Sequence, residues 1–437
     1  MRYVSSMMAL ILALPTVGRG QNPDSVALVR RAGQLATWIG GAAIKLDTVF
    51  AQSFLAQAPA AQLTQVATQL GQLGRVTAIK MMNRPAPDVM TPQSALFQLT
   101  TDKGYAIPMT LVVDAAASNL VAGLLFASPT RAAGSIDDVL KELRELHGHA
   151  SLFAARLDGS KLVPIIAEDT GRAMAIGSAF KLYVLAELTR EIEQGQRHWA
   201  DVVPIDSMSK SLPSGFLQTW PAGTPITVQT LATLMISQSD NTAADHLLHI
   251  LGRANVESVQ APAGNAHATM NMPFLSTREM FVLKSPDRTA ELRRYLSGSA
   301  AERRAVLVDP ALVGRQRRGP DFSKGPIAID SVEWFASTAD LARVMVWLRD
   351  HSAAGPATAT RGVLSVNKGI DWPAAQWRYV GFKGGSEPGV INLTFIAQRA
   401  DQQWIVLVAT WNDVARPVEE MIFPGLVGRV RDLLVSR

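Results

Sequence analysis

The chain has no cysteine among its 437 residues. That absence excludes disulfides, thiolate metal ligands, a cysteine nucleophile and a cysteine-linked lipid anchor. Aromatic residues make up only 6%, and they form no ladder with basic side chains of the kind a nucleic-acid surface uses. Neither sign of charge dominates: 42 Lys and Arg stand against 37 Asp and Glu, for a net charge of +5. The signs are interspersed, and a cluster such as Arg315-Gln316-Arg317-Arg318 reads as solvated loop. No nucleic-acid partner is expected, whereas a modest positive field suits an anionic small molecule. No apolar run approaches the roughly 20 residues that a membrane-spanning helix needs. What the chain does have is apolar content, 48% hydrophobic, enough to fill the cores of two or more domains at this length.

Residues 1–22 read as a signal peptide, with Arg2 in a short basic region, an apolar stretch from Met7 to Leu14 and small residues around Thr16-Val17-Gly18. A periplasmic or secreted location follows as an expectation. Residues 23–132 predict a small α+β domain of the cystatin or nuclear-transport-factor kind. Helical patterns over Ser25–Gly40 and Ala60–Leu73 precede strand-like runs at Ala95–Thr101, Ala106–Asp114 and Asn119–Phe126. Nothing in this part carries a chemical constellation, so it is expected to serve as scaffold, dimerisation or wall-binding unit. Ala132 to Ser135 reads as the join, and residues 133–437 as the second domain, opening on a charged helix from Ile136 to Leu146.

The chemistry lies in three short motifs. Ser-x-x-Lys occurs at Ser178-Ala179-Phe180-Lys181, Ser207-Met208-Ser209-Lys210 and Ser365-Val366-Asn367-Lys368. Only Ser178 stands between a small-residue turn and a strong helical run, Phe180 to Ile192. Positions i and i+3 share a helix face, so the Lys181 amine reaches the Ser178 hydroxyl. An ordinary lysine, with a pKa of about 10.4, is a poor base at neutral pH. Burial and a second cation, Lys383, are expected to lower it.

The second motif, Ser239-Asp240-Asn241, falls between the helical patterns Thr227–Ser237 and Thr242–Leu251. Asp and Asn are turn and cap residues in their own right. In a catalytic reading Ser239 passes a proton to the leaving group, Asn241 bonds the substrate amide, and Asp240 is buried and structural. The third motif is Lys383-Gly384-Gly385-Ser386, at the end of a strand-like run from Trp377 to Phe382, with Val390–Ala397 and Trp404–Trp411 continuing a sheet. An edge strand beside a pocket binds a substrate by main-chain pairing, the glycines allow close approach, and Lys383 attracts a carboxylate. The backbone N–H groups of Ser178 and Ser386 are the expected oxyanion hole.

These residues resemble the S-x-x-K, S-D-N and K-[TS]-G elements of class A β-lactamases and penicillin-binding enzymes. The stretches Ser237–Leu248 and Ala336–Ala342 extend the likeness, which covers about residues 133–437. The resemblance implies a serine hydrolase fold, an antiparallel sheet flanked by helices, that opens a β-lactam or related ester or amide through an acyl-enzyme on Ser178. It implies no cofactor and no metal, and a role in antibiotic resistance. An N-terminal α+β domain followed by Pro273-Phe274-Leu275-Ser276-Thr277-Arg278-Glu279 is similar to two-domain serine hydrolases found in clavulanic acid gene clusters. An esterase or a D-alanyl-D-alanine peptidase on the same fold is the alternative, and a non-catalytic binding or sensor protein a more distant one.

This sequence departs from the pattern in three places. Gly384 stands where the family has a hydroxyl residue, leaving Ser386 as the substitute for carboxylate recognition. The E-x-x-L-N motif that carries the deacylating glutamate is absent, with Glu279 and Glu333 the nearest candidates. A charged stretch from Ser285 to Lys324 lengthens the chain and either caps the pocket or decorates the surface. His147, His149, His246 and His249 lack the third ligand of a zinc site and read as ordinary surface or capping histidines.

Overall fold

The computed structural model describes residues 25–82, 94–127, 129–131, 134–309, 312 and 319–435. The signal-peptide reading therefore lies outside the described residues. Two compact units emerge. One comprises residues 136–418. The other joins residues 25–135 to the C-terminal segment Glu419–Leu434.

In the N-terminal unit, helices α1 (Ser25–Ile39) and α2 (Ala60–Gly71) pack on an antiparallel sheet of β1 (Val76–Met81), β2 (Ser94–Thr101), β3 (Tyr105–Asp114) and β4 (Leu120–Phe126), in that order. Alternation along β2 and β3 turns Phe97, Leu99, Ile107, Met109 and Leu111 into one core with Leu35, Ile39 and Leu70. This is the helix-on-antiparallel-sheet arrangement expected from the sequence. The helix Phe423–Leu433 packs against strand Thr130–Arg131 of this unit. Assigning all of residues 133–437 to one domain missed that exchange. A Cβ at Gly425 would stand 2.0 Å from the Pro129 carbonyl oxygen, so glycine lets helix and strand meet backbone to backbone.

The second unit is built on a five-stranded antiparallel sheet. In chain order its strands are β5 (His149–Asp158), β6 (Lys161–Glu168), β9 (Trp377–Glu387), β10 (Val390–Arg399) and β11 (Trp404–Asn412), and in space they run β9-β10-β11-β5-β6. The short strands β7 (Met174–Ala175) and β8 (Phe335–Ala336) pair with each other. Helix α3 (Ile136–Glu145) precedes the sheet, and α4 (Lys181–Glu193) runs through the core with Leu182, Tyr183, Val184, Leu185 and Leu188 fully buried. Eleven of its 13 residues are buried, Lys181, Glu187 and Glu191 among them, so the helix is covered almost all round. Helices α5 (Val228–Ser237), α6 (Asn241–Leu251) and α8 (Thr338–His351) pack against it, and α7 (Thr277–Leu283) packs on α6.

The charged insertion contains helices Thr289–Ser297 and Ala300–Leu307, whose Tyr295, Val306 and Leu307 join the same core. Strand β9 is longer than its alternation predicts. It runs through both glycines to Glu387, with Gly384 opposite Leu393 and Gly385 opposite Asn392, and turns at Gly389.

Candidate active site

The nucleophile's position is set by a tight turn. Met174–Ala175 pairs with Phe335–Ala336, the Ile176 N–H donates to the Trp334 carbonyl at 3.0 Å, and the chain enters a 3-10 turn, Gly177–Phe180, before α4 begins at Lys181. Phe180 is clamped by the Trp334 ring, stacked with centroids 3.7 Å apart. Ser178 is thus left half-exposed on a rigid corner, with Ala179 and Phe180 buried beneath it.

Lys181 is fully buried. Its Nζ lies 2.6 Å from the Ser239 carbonyl oxygen, 2.7 Å from Asn241 Oδ1, 3.1 Å from Ser239 Oγ and 3.2 Å from Ser178 Oγ. Burial pulls its pKa down to about 7, against the opposing pull of Asp240 and Asp245. The carbonyl and amide oxygens only accept, so in the neutral amine two N–H bonds go to them and the lone pair is left facing the hydroxyls. Lys383, also buried, reaches Ser239 Oγ at 3.1 Å and the Gly384 carbonyl at 2.5 Å. Its pKa is held well below the usual lysine range by burial first and by Lys181 second.

Ser239 sits between α5 and α6 at φ +53°, a left-handed conformation that side chains rarely adopt. Asp240 holds that turn. It is completely buried, its Oδ1 accepts from Ala243 N at 2.9 Å as the cap of α6, and its Oδ2 accepts from Phe216 N at 2.7 Å and Leu217 N at 3.0 Å. Asn241 donates its Nδ2 to the Leu212 carbonyl at 3.1 Å while its oxygen holds Lys181.

Gly385 brings strand β9 onto the nucleophile's turn. A Cβ there would meet the Ile176 carbonyl at 2.1 Å and the Ser178 amide nitrogen at 2.6 Å. At Gly384, on the opposite face, a Cβ would come within 2.8 Å of the Phe382 ring. A hydroxyl side chain in place of Gly384 would meet that ring, which is stacked on Phe395 with centroids 4.7 Å apart. Ser386 shares the face of Gly384 by alternation and lines a small cavity of about 20 Å³. Ser178, Ser214, Asn241, Thr277, Phe281 and Trp334 also line it, together with Glu333 and Glu387. No described residue of 285–324 does.

The structure therefore brings Ser178, Lys181, Ser239, Asn241 and Lys383 into one hydrogen-bonded cluster at the edge strand, with Gly384, Gly385 and Ser386 beside it. The other two Ser-x-x-Lys motifs lie apart, Lys210 donating to the Trp220 carbonyl and Ser365 ending the helix Ala359–Ser365. Glu279 is tied into a capping box with Ser276 and paired with Arg253 at 2.6 Å. His246 bridges the Thr242 carbonyl and the Asp206 N–H, and His249 meets Ser209 Oγ at 2.7 Å. Glu387 and Trp334 were not foreseen. The two-residue period along Lys383, Gly385 and Glu387 would have placed Glu387 on the nucleophile's face, had the strand been carried through the glycines.

Residues 132–305 match the β-lactamase enzyme family, a stretch that takes in Ser178, Lys181, Ser239 and Asn241 and ends before Lys383. This unit is a β-lactamase-like serine hydrolase domain. No curated protein matches the chain. Among solved structures, a β-lactamase from Sphaerobacter thermophilus DSM 20745 is 17% identical, covering 69% of this chain and 96% of its own, with a TM-score of 0.47. A β-lactamase from Chitinophaga pinensis DSM 2588 is 16% identical over 69% and 97%, with a TM-score of 0.48. A single-residue mutant of PBP-A, solved as its acyl-enzyme complex with penicillin G, is 13% identical over 69% and 96%, with a TM-score of 0.46. The β-lactamase-like domain thus combines an intact Ser-Lys-Ser-Lys cluster with a carboxylate pair in its pocket wall.

Proposed function

We propose that this enzyme opens a β-lactam, or a related ester or amide, through an acyl-enzyme on Ser178. The observation that carries this reading is the Lys181 amine, buried, 3.2 Å from Ser178 Oγ, with its pKa brought down to about 7. Neutral Lys181 takes the Ser178 proton as Oγ attacks the carbonyl carbon. The oxyanion forms beside the N–H groups of Ser178 and Ser386, which the close approach of Gly385 brings together. Ser239, bonded to both lysines, hands a proton to the leaving group. Lys383 offsets the negative charge of an anionic substrate, and Ser386 supplies the hydroxyl that Gly384 lacks.

The test is hydrolysis of a chromogenic cephalosporin by the purified protein beside Ser178→Ala. Turnover lost in the variant is the expected result. Turnover that survives in Ser178→Ala overturns the assignment of the nucleophile. The loss of the usual hydroxyl at Gly384 favours one second reading, an esterase on the same site, which aryl-ester turnover without lactam turnover would establish. An exported location accords with both readings, and N-terminal sequencing of the protein from its native host tests it by showing removal of the first 22 residues or so.

A further inference from the structure

Glu333 and Glu387 have no part in the cluster just described, yet both face the cavity that exposes Ser178. Each is anchored to the nucleophile's own turn. Lys383, Gly385 and Glu387 share one face of β9, and Gly385 already presses on the Ser178 amide, so Glu387 starts only about 7 Å further along the strand. Glu333 precedes Trp334, whose carbonyl accepts from Ile176 N at 3.0 Å and whose ring stacks on Phe180. Glu333 Oε2 accepts from the Trp334 N–H at 3.1 Å, which fixes that carboxylate.

Between them lies Lys284, the residue after α7. Its Nζ is 3.2 Å from Glu333 Oε1 and 2.5 Å from Glu387 Oε1, and all three side chains are buried. One ammonium balances one carboxylate. A second carboxylate in so dry a place is best kept neutral by a proton, as in other buried carboxyl pairs. Burial, reinforced by Glu333 and opposed by Lys284, does push the Glu387 carboxyl well above its ordinary range. Glu387 Oε2 is buried and has no hydrogen-bond partner among the described residues. A buried oxygen of that kind, in the wall of a polar cavity, calls for a guest such as a water molecule.

We propose that the Glu333–Glu387 pair, held by Lys284, is the base that activates the deacylating water at acyl-Ser178. The inference rests on the acyl-enzyme reading. In the step, Glu333, the ionised member of the pair, takes a proton from water as the water oxygen bonds to the acyl carbon. The tetrahedral oxyanion collapses, the bond from carbon to Ser178 Oγ breaks, and the Lys181 ammonium returns a proton to Oγ. The carboxyl pair then gives its extra proton to solvent, from which Ser239 recovers the one it gave to the leaving group, and Lys181 is left neutral as the acid product departs.

The experiment follows the mass of the Ser178 peptide and product release in parallel, with a chromogenic cephalosporin and with p-nitrophenyl acetate as acyl donors. Wild type is expected to show a transient adduct and steady turnover. Glu333→Gln is expected to acylate at the wild-type rate and then hold its adduct, with turnover down about 100-fold or more. Glu387→Gln, which replaces the neutral member of the pair, should shift in the same direction by less. If Glu387→Gln does not fold, Glu333→Gln alone decides the matter. Both variants clearing the adduct at the wild-type rate would overturn the inference, as would a wild-type adduct that never clears. Absence of any adduct in wild type with either donor would instead sink the acyl-enzyme reading beneath it.

Discussion

Lys181 and Lys383 share one acceptor, the Ser239 hydroxyl oxygen, each with its Nζ 3.1 Å away. Two ammonium groups converging on one buried atom repel strongly. The site therefore favours losing a proton, and burial drives both lysines in that direction.

Acylation is accordingly expected to need neutral Lys181. The rate of Ser178 labelling should rise with pH through about 7 and level off above it. Lys181→Met should lower that rate about 100- to 10,000-fold and abolish this limb of the profile. A stopped-flow pH series on both proteins checks it, and a pH-independent wild-type rate would rule the base assignment out.

Stability carries the same signature. Lys181 binds a proton less readily in the fold, at about 7, than in the unfolded chain, at its ordinary value of 10.5. Between those values the unfolded state holds more protons, so the Lys181 contribution makes the protein more stable as pH rises across the window. Lys181→Met removes that contribution and should flatten the rise. Denaturant melts at intervals from about pH 7 to about pH 10 read the difference in slope.

Gly385→Ala is expected to force β9 away from the nucleophile's turn, since its Cβ would overlap the Ile176 carbonyl at 2.1 Å. Overpacking of this kind costs about 1–3 kcal/mol. Acylation should fall further than stability alone explains, because the strand carries the Ser386 N–H. Chemical denaturation and labelling kinetics on one preparation separate the two effects.

Asp240→Ala strands the N–H groups of Ala243, Phe216 and Leu217 in a buried turn. A loss of about 2–4 kcal/mol is expected from the missing cap and the unpaired donors. A Tm equal to wild type would show that the turn is held by something else.

Glu279→Gln distinguishes a structural acid from a catalytic one. Its carboxylate caps α7 and meets Arg253, so the variant should lose about 1 kcal/mol of stability and keep its turnover. A persistent acyl adduct in this variant would return Glu279 to the mechanism.

What was legible in the chain alone is the set of features whose geometry is local. A serine three residues before a lysine on one helical turn, and Asp240 capping the helix it precedes, need no distant partner. The runs Val390–Ala397 and Trp404–Trp411 likewise announced β10 and β11. The remaining features depend on long-range packing. Glycine pairs read as breaks in a strand until a neighbouring backbone is seen to require them, which is why β9 runs on to Glu387. Lys284, Glu333 and Glu387 lie far apart in the chain, and a charge becomes unusual only when folding buries it beside others. The C-terminal helix carries the amphipathic pattern of any packing helix; which unit it joins depends on where Pro129 and Gly425 meet in space.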